Sequence, residues 1–249
     1  MSDYRALPHG PIQEVFLDIF FVRGAVTLPI RLPVRMSRSM TILRDGDELT
    51  LVNSIRLSKE GLGRLEALGR IVRVIRIGGF HGRDDGFYRE RYGARVLAIE
   101  GQAYTREIRS DESNLSFMEP DEWLDSSTPL SIADARLFVF GGTPPEAILV
   151  LEREGGILVT ADSLQNTAGP DEFVNFLGRQ MMKRIGFFKA HGLGPGWLRS
   201  AEPPAADVAG ILELSFEHVL PGHGEPVIGD AREKYRPAIE AFGAVSHLT

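Results

Sequence analysis

Three short segments, far apart in the chain, each place a His or Asp just after an apolar, strand-like run. They are Gly79-Phe80-His81-Gly82-Arg83-Asp84-Asp85, Leu158-Val159-Thr160-Ala161-Asp162-Ser163-Leu164 and Leu220-Pro221-Gly222-His223-Gly224-Glu225-Pro226-Val227. A sheet delivers the residues that follow its strands to one common edge, so the three segments predict a shared site built from strand ends. The constraint is topological, because a fold that satisfies it must bring strands of distant sequence position together.

The chemistry open to such a site is narrowed by the absence of cysteine. With no thiolate nucleophile and no sulfur ligand, His and carboxylates are the strong donors that remain. The 249 residues allow one core, burying roughly 70–75% of the surface of the unfolded chain. The expected organisation is a single domain over 1–249, with a β-rich leading segment at 1–39, a core at 40–227 and a C-terminal helix at 228–249. A formal charge of −6 spread along the chain leaves no basic stripe for a phosphate backbone, which argues against a nucleic-acid partner. Met1-Ser2-Asp3-Tyr4-Arg5 lacks a basic region followed by an apolar one, and no run reaches the ~18 apolar residues of a membrane helix. No membrane partner and a cytoplasmic location are therefore expected.

Along the chain, strands feed helices. Val15–Val22 and Ala25–Val34 read as two β-rich runs, a hairpin over a cleft, with Pro29 and Pro33 marking the second as irregular. Met40–Arg44 and Glu48–Asn53 flank a turn at Asp45-Gly46-Asp47. Ser58 is placed to cap a helix carrying Leu62, Leu65 and Leu68 on one stripe, with Gly69 suited to a left-handed cap. Strands are expected at Ile71–Ile77, Arg95–Ile99, Arg136–Phe140, Glu146–Leu151 and Gly156–Thr160, and a helix from Asp84 or Asp85 to Gly93. Asp171–Ala190 has a broad apolar face at helical spacing that suits core packing and would also serve a homodimer contact. Leu193–Asp207 reads as a Gly/Pro-rich loop beside the cleft. Asp230 and Glu233 give a capping-box-like start to a last helix that Pro237 interrupts.

Other motifs carry less. Ser163 has no Gly-x-Ser-x-Gly elbow, and Gly141-Gly142 lacks dinucleotide-loop spacing. Asp84 and Asp85 precede a helical stretch, where an Asp commonly serves as an N-cap. His191 ends the long helical pattern, where it complements the helix dipole or reaches the cleft as a substrate-binding group.

In order, spacing and flanking residues, the three segments resemble the metallo-β-lactamase superfamily, with its His-x-His-x-Asp-His loop, later His, Asp after a strand, and final Gly-His-Gly. The likeness runs from about Met40 to Val227 and implies an α/β, four-layer αββα sandwich. His81, Asp85, Asp162 and His223 fall on ligand positions and keep ligand residues; Arg83, Gly86 and Gly142 fall on positions where the family has His. The resemblance implies at most one divalent metal, zinc, iron or manganese, held by His81, Asp85, Asp162 and His223, with Asp85 also catalytic. The implied activity is hydrolysis of a small-molecule ester, thioester, amide or phosphoester. The alternative is a metal-free chain that keeps the fold as a small-ligand-binding or dimerisation module. Arg83 has two readings, as a stand-in for the missing cation among Asp84, Asp85 and Asp162, or as a substrate-binding group facing the cleft.

Overall fold

The computed structural model describes residues 5–28, 32–102 and 119–246. Seven strands form one sheet in chain order: β1 (Gln13–Phe16), β2 (Ile19–Thr27), β3 (Arg35–Asp45), β4 (Glu48–Val52), β5 (Arg70–Arg76), β6 (Arg95–Ile99) and β7 (Glu122–Leu124). Pairing is antiparallel as far as β4 and parallel from there on. The first two parallel connections are made by helices α1 (Lys59–Leu68) and α2 (Asp85–Tyr92), as parallel neighbours require. A second sheet combines β8 (Ala135–Phe140), β9 (Glu146–Leu151) and β10 (Ile157–Val159) with a late strand, β13 (His218–Leu220), which lies parallel to β10 at the edge. Between β10 and β13 the chain makes a two-stranded ribbon, β11 (Leu164–Thr167) with β12 (Lys189–Leu193), and helices α3 (Phe176–Arg184), α4 (Pro195–Ala201) and α5 (Ala205–Gly210). Helix α6 (Ala231–Ser246) closes the fold.

Side-chain alternation explains the layering. In β2, Ile19 and Phe21 face Leu149, Leu151, Val159 and Leu220 of the second sheet, while Phe20 and Val22 face the other way, toward Leu62, Leu65 and Tyr88 of α1 and α2. Both faces of the sheet are covered, which is why its strands read as nearly continuous apolar runs. The outer face of the second sheet packs Ile148, Val150 and Leu158 against Trp197, Val208, Tyr235 and Ile239 of α4, α5 and α6. The result is the αββα order of layers.

The local signals hold at several points. The Ser58 side chain accepts from Gly61 N (3.2 Å), and Gly93 ends α2 in the left-handed conformation at φ 67. Gly69 differs: it sits at φ 156, ψ −172, and a Cβ there would lie 2.5 Å from the Asp47 carbonyl oxygen, so glycine is needed for close approach. The two leading β runs are divided differently from the sequence reading. β2 runs on through Gly24 in register with β3, so the chain turns after Phe16 and again beyond Thr27; Pro29 lies outside the described residues. The helical pattern at 171–190 yields only α3, because Asn175 caps its start and Gly186 (φ 74) turns the chain into β12. The stretch 193–207 holds α4 and the first half of α5, with Pro195 at a helix start, where its missing N–H costs nothing. No helix among the described residues is long and apolar enough to cross a membrane.

Candidate metal centre

Asp162 and His223 leave the same edge of the second sheet. In the parallel pair β10 and β13, Val159 stands opposite Leu220, and each acidic or imidazole group follows its strand end at the same interval. His81 comes from the other sheet. The chain leaving β5 crosses to β9 through Ala147 N donating to the Ile77 carbonyl (2.9 Å) and a bridge between Gly78 and Glu146, and then turns back with His81 N donating to the Gly78 carbonyl (3.0 Å). The three loops meet around Ala161. A Cβ on Gly78 would lie 2.4 Å from the Ala161 Cβ, and one on Gly222 would lie 2.3 Å from the Ala161 carbonyl oxygen, so the approach needs glycine on both sides.

The three buried side chains converge within 4.8 Å of one another at their donor atoms. Asp162 Oδ1 lies 3.0 Å from His223 Nε2, and Oδ2 lies 3.3 Å from His81 Nε2 without hydrogen-bond alignment. His223 Nδ1 donates to the Ser37 carbonyl of β3 at 2.8 Å, which fixes the proton on that nitrogen because a carbonyl only accepts. A neutral His223 then points a lone pair at the carboxylate, and two acceptors 3.0 Å apart require a proton or a metal cation between them. Burial opposes the charge on Asp162, but the His81 charge, followed by the His223 hydrogen bond, carries its pKa well below the usual carboxylate range.

Behind the centre, Glu146 opens the otherwise apolar β9 and is fully buried. Its carboxylate accepts from Asp162 N (3.0 Å) and Ser163 N (2.7 Å), holding the turn that carries Asp162. Burial, then the neighbouring Asp162 charge, push its pKa up to about 8.

The donor set fits one metal ion. Two imidazole nitrogens and a carboxylate oxygen lie within 4.8 Å of one another, and an imidazole whose second nitrogen donates to a carbonyl is the usual state of a metal-ligating His. Two imidazoles and one carboxylate leave a further coordination position for water.

No protein-family model matches the sequence, and no curated protein matches it either. Solved structures do. The metallo-β-lactamase DIM-1 superposes with a TM-score of 0.61 at 13% identity, covering 95% of this chain and 99% of that one. VMB-1 gives 0.62 at 12%, covering 98% and 99%. FIM-1 from Pseudomonas aeruginosa, a metallo-β-lactamase in its mono-zinc form, gives 0.60 at 11%, covering 96% and 97%. The fold is that of the metallo-β-lactamases.

Within this metallo-β-lactamase fold, the residues singled out in the sequence divide into two groups. His81, Asp162 and His223 come together. Asp85 does not join them: its Oδ1 accepts from the Ser54 hydroxyl (2.6 Å), its buried Oδ2 accepts no hydrogen bond, and its pKa is raised by burial against the opposing charge of Arg76. His191 lies in β12 rather than at a helix end. Its ring meets Tyr235 edge-on at 5.7 Å, and burial, then the Lys234 charge, lower its pKa. Gly142 has φ 103, and a Cβ there would lie 2.3 Å from the Ala201 carbonyl oxygen, so the end of α4 fills the space a side chain at 142 would need.

Two other guanidiniums stand against the acidic loop. Arg38 of β3 pairs with Asp84, which also accepts from Arg56 N (2.8 Å), and Arg76 stands beside Asp85; all four charged groups are buried. Arg83 donates to the Thr27 carbonyl and lines a cavity of about 250 Å³ that opens onto the centre. Arg38, Arg76 and Glu146 went unnoticed in the sequence. Their one signal was a charge within or at the end of an apolar strand, which alternation alone does not separate from a solvent-facing residue.

Proposed function

We propose that this chain is a metal-dependent hydrolase with a single divalent ion, zinc, iron or manganese, held by His81, Asp162 and His223. The observation that carries the reading is the pairing of two acceptors, His223 Nε2 and Asp162 Oδ1, 3.0 Å apart, in a centre whose donor set suits one ion. The mono-zinc form of FIM-1, with the same fold, supports the choice of one ion.

A bound divalent ion supplies a water that ionises near neutral pH and polarises a carbonyl oxygen. The chain's own groups do the rest. His81, Asp162 and His223 bind, with Ser37 orienting His223 and Glu146 holding the Asp162 turn. Phe187 meets His223 edge-on at 5.3 Å and lines the cavity beside the centre. In the overall reaction the water oxygen bonds to the acyl carbon, the bond from that carbon to its leaving heteroatom breaks, one water proton departs with the leaving group and the other passes to solvent. In this reading Asp85 fixes the loop through Ser54.

A second reading, a metal-free ligand-binding protein, is favoured by one feature: both imidazoles lie against Asp162 and, when protonated, satisfy its charge without an ion. Hydrolysis of p-nitrophenyl acetate separates the two. The hydrolase reading expects turnover in zinc-, iron- or manganese-loaded protein, loss on chelation, and loss in His223→Ala; absence of turnover with every metal supports the second.

A further inference from the structure

The cavity that opens onto the centre is walled chiefly by apolar side chains. Met36 of β3, Met181 and Met182 of α3, Ile185 and Phe187 just beyond α3, and Trp197 of α4 line it together with His81, Asp162 and His223. A molecule that fills the cavity therefore touches the metal-binding residues. Met36, Met182 and Phe187 form a buried cluster apart from the cores between the layers, and Val26, Leu28, Met181 and Ile185 are half-buried against it, which leaves apolar surface open beside the centre. Apolar surface held open inside a cavity, with a few convergent polar groups at one end, is the usual make-up of a small-molecule site.

The wall is built in place. Asn175, the cap of α3, accepts from Arg35 N (3.1 Å) and donates to the Pro33 carbonyl (2.6 Å), and a Cβ on Gly178 would lie 2.0 Å from the Arg35 carbonyl oxygen. Helix α3 is thus seated on the start of the strand that carries Met36 and the Ser37 carbonyl that orients His223.

The buried charges on the same wall are already matched. Arg38 pairs with Asp84, and Asp162 lies between His81 and His223; the half-buried Arg83 donates to the Thr27 carbonyl. A charged ligand group gives up its hydration on entering such a cavity, whereas an apolar group gains by leaving water.

We infer that the substrate presents an uncharged apolar group to this cavity, next to the bond that is cleaved, and that the methionine-rich wall selects it. Methionine side chains are unbranched and polarisable and fit chains and rings alike, so the selection is by polarity rather than by shape. As a statement about the substrate this rests on the hydrolase reading; as a statement about what the cavity takes, it requires binding alone.

Calorimetric titration of the protein as purified with butan-1-ol, hexan-1-ol and octan-1-ol, and with octanoate and octylammonium, tests it. The expected result is affinity rising by up to roughly fourfold for each added methylene, and octanol binding about tenfold or more tighter than either charged analogue. Ile185→Asp, with circular dichroism matching wild type, is expected to lose about tenfold or more of the octanol affinity. Equal affinity along the alcohol series, or octanoate binding as tightly as octanol through Arg83, overturns the inference without recourse to a variant; octanol affinity unchanged in Ile185→Asp places the alcohol elsewhere and overturns it too. Hydrolysis of the p-nitrophenyl esters of hexanoic acid and of succinic acid, the latter as its anionic half-ester, keeps the two claims apart. Metal-dependent turnover of both at equal kcat/KM sinks the apolar inference and leaves the hydrolase reading; chain-dependent alcohol binding without turnover of either ester sinks the hydrolase reading and leaves the cavity's preference.

Discussion

His223 donates its Nδ1–H to the carbonyl of Ser37 across 2.8 Å, and this bond aims its other ring nitrogen at Asp162. Ser37 belongs to β3 of the first sheet, whereas His223 follows β13 of the second, so the two halves of the sandwich jointly set one imidazole. A side chain that depends on both sheets reports on how they are docked.

Arg38 and Asp84 are buried together, and removing one partner leaves the other charge without compensation. Arg38→Ala is expected to destabilise the protein by about 3–5 kcal/mol. The double variant Arg38→Met with Asp84→Leu is expected to recover most of that loss. Urea denaturation midpoints of the two proteins check the pair; equal losses in both contradict it.

Gly222 packs on the Ala161 carbonyl where a Cβ would approach to 2.3 Å. Because the neighbour is backbone, the loop carrying His223 has to shift. Gly222→Ala is expected to cost about 1–3 kcal/mol and to weaken metal binding by roughly tenfold or more. Thermal unfolding and zinc titration measure the two effects.

The Glu146 carboxyl keeps its proton to about pH 8 in the folded protein, against an ordinary value of 4.5. Between those values the folded state binds more protons than the unfolded state, so this group's contribution to stability is complete below pH 4.5 and is lost as pH rises toward 8. Metal-free wild type is expected to lose stability across that window with a slope of up to about 1.4 kcal/mol per pH unit. Glu146→Gln is expected to remove that component, which denaturation at several pH values reads directly. An unchanged slope in Glu146→Gln contradicts it.

Much of the layering was legible in the sequence because it depends on local patterns: apolar runs for strands buried on both faces, Ser58 as a cap, Gly93 as a helix stop. The strand ends carrying His81, Asp162 and His223 were legible for the same reason. Asp85 has the spacing from His81 of a ligand loop but lies outside the cluster of His81, Asp162 and His223, with surroundings set by Arg76 and Ser54, which reach it through tertiary packing. Arg38 and Arg76, the guanidiniums beside Asp84 and Asp85, could not be read from the sequence, since pairing across a sheet leaves no trace in local spacing. The helix expected at 171–190 is confined to α3 because Asn175 caps its start and Gly186 turns the chain into β12, signals that apolar periodicity does not record.

Metal content by mass spectrometry of wild type, Asp162→Ala, His223→Ala and Asp85→Ala, each incubated with zinc and desalted, tests the central claim most directly. The three-residue centre predicts about one equivalent in wild type and in Asp85→Ala, and loss of the metal in Asp162→Ala and His223→Ala. A wild type without metal, or a metal that survives in Asp162→Ala while departing from Asp85→Ala, contradicts it.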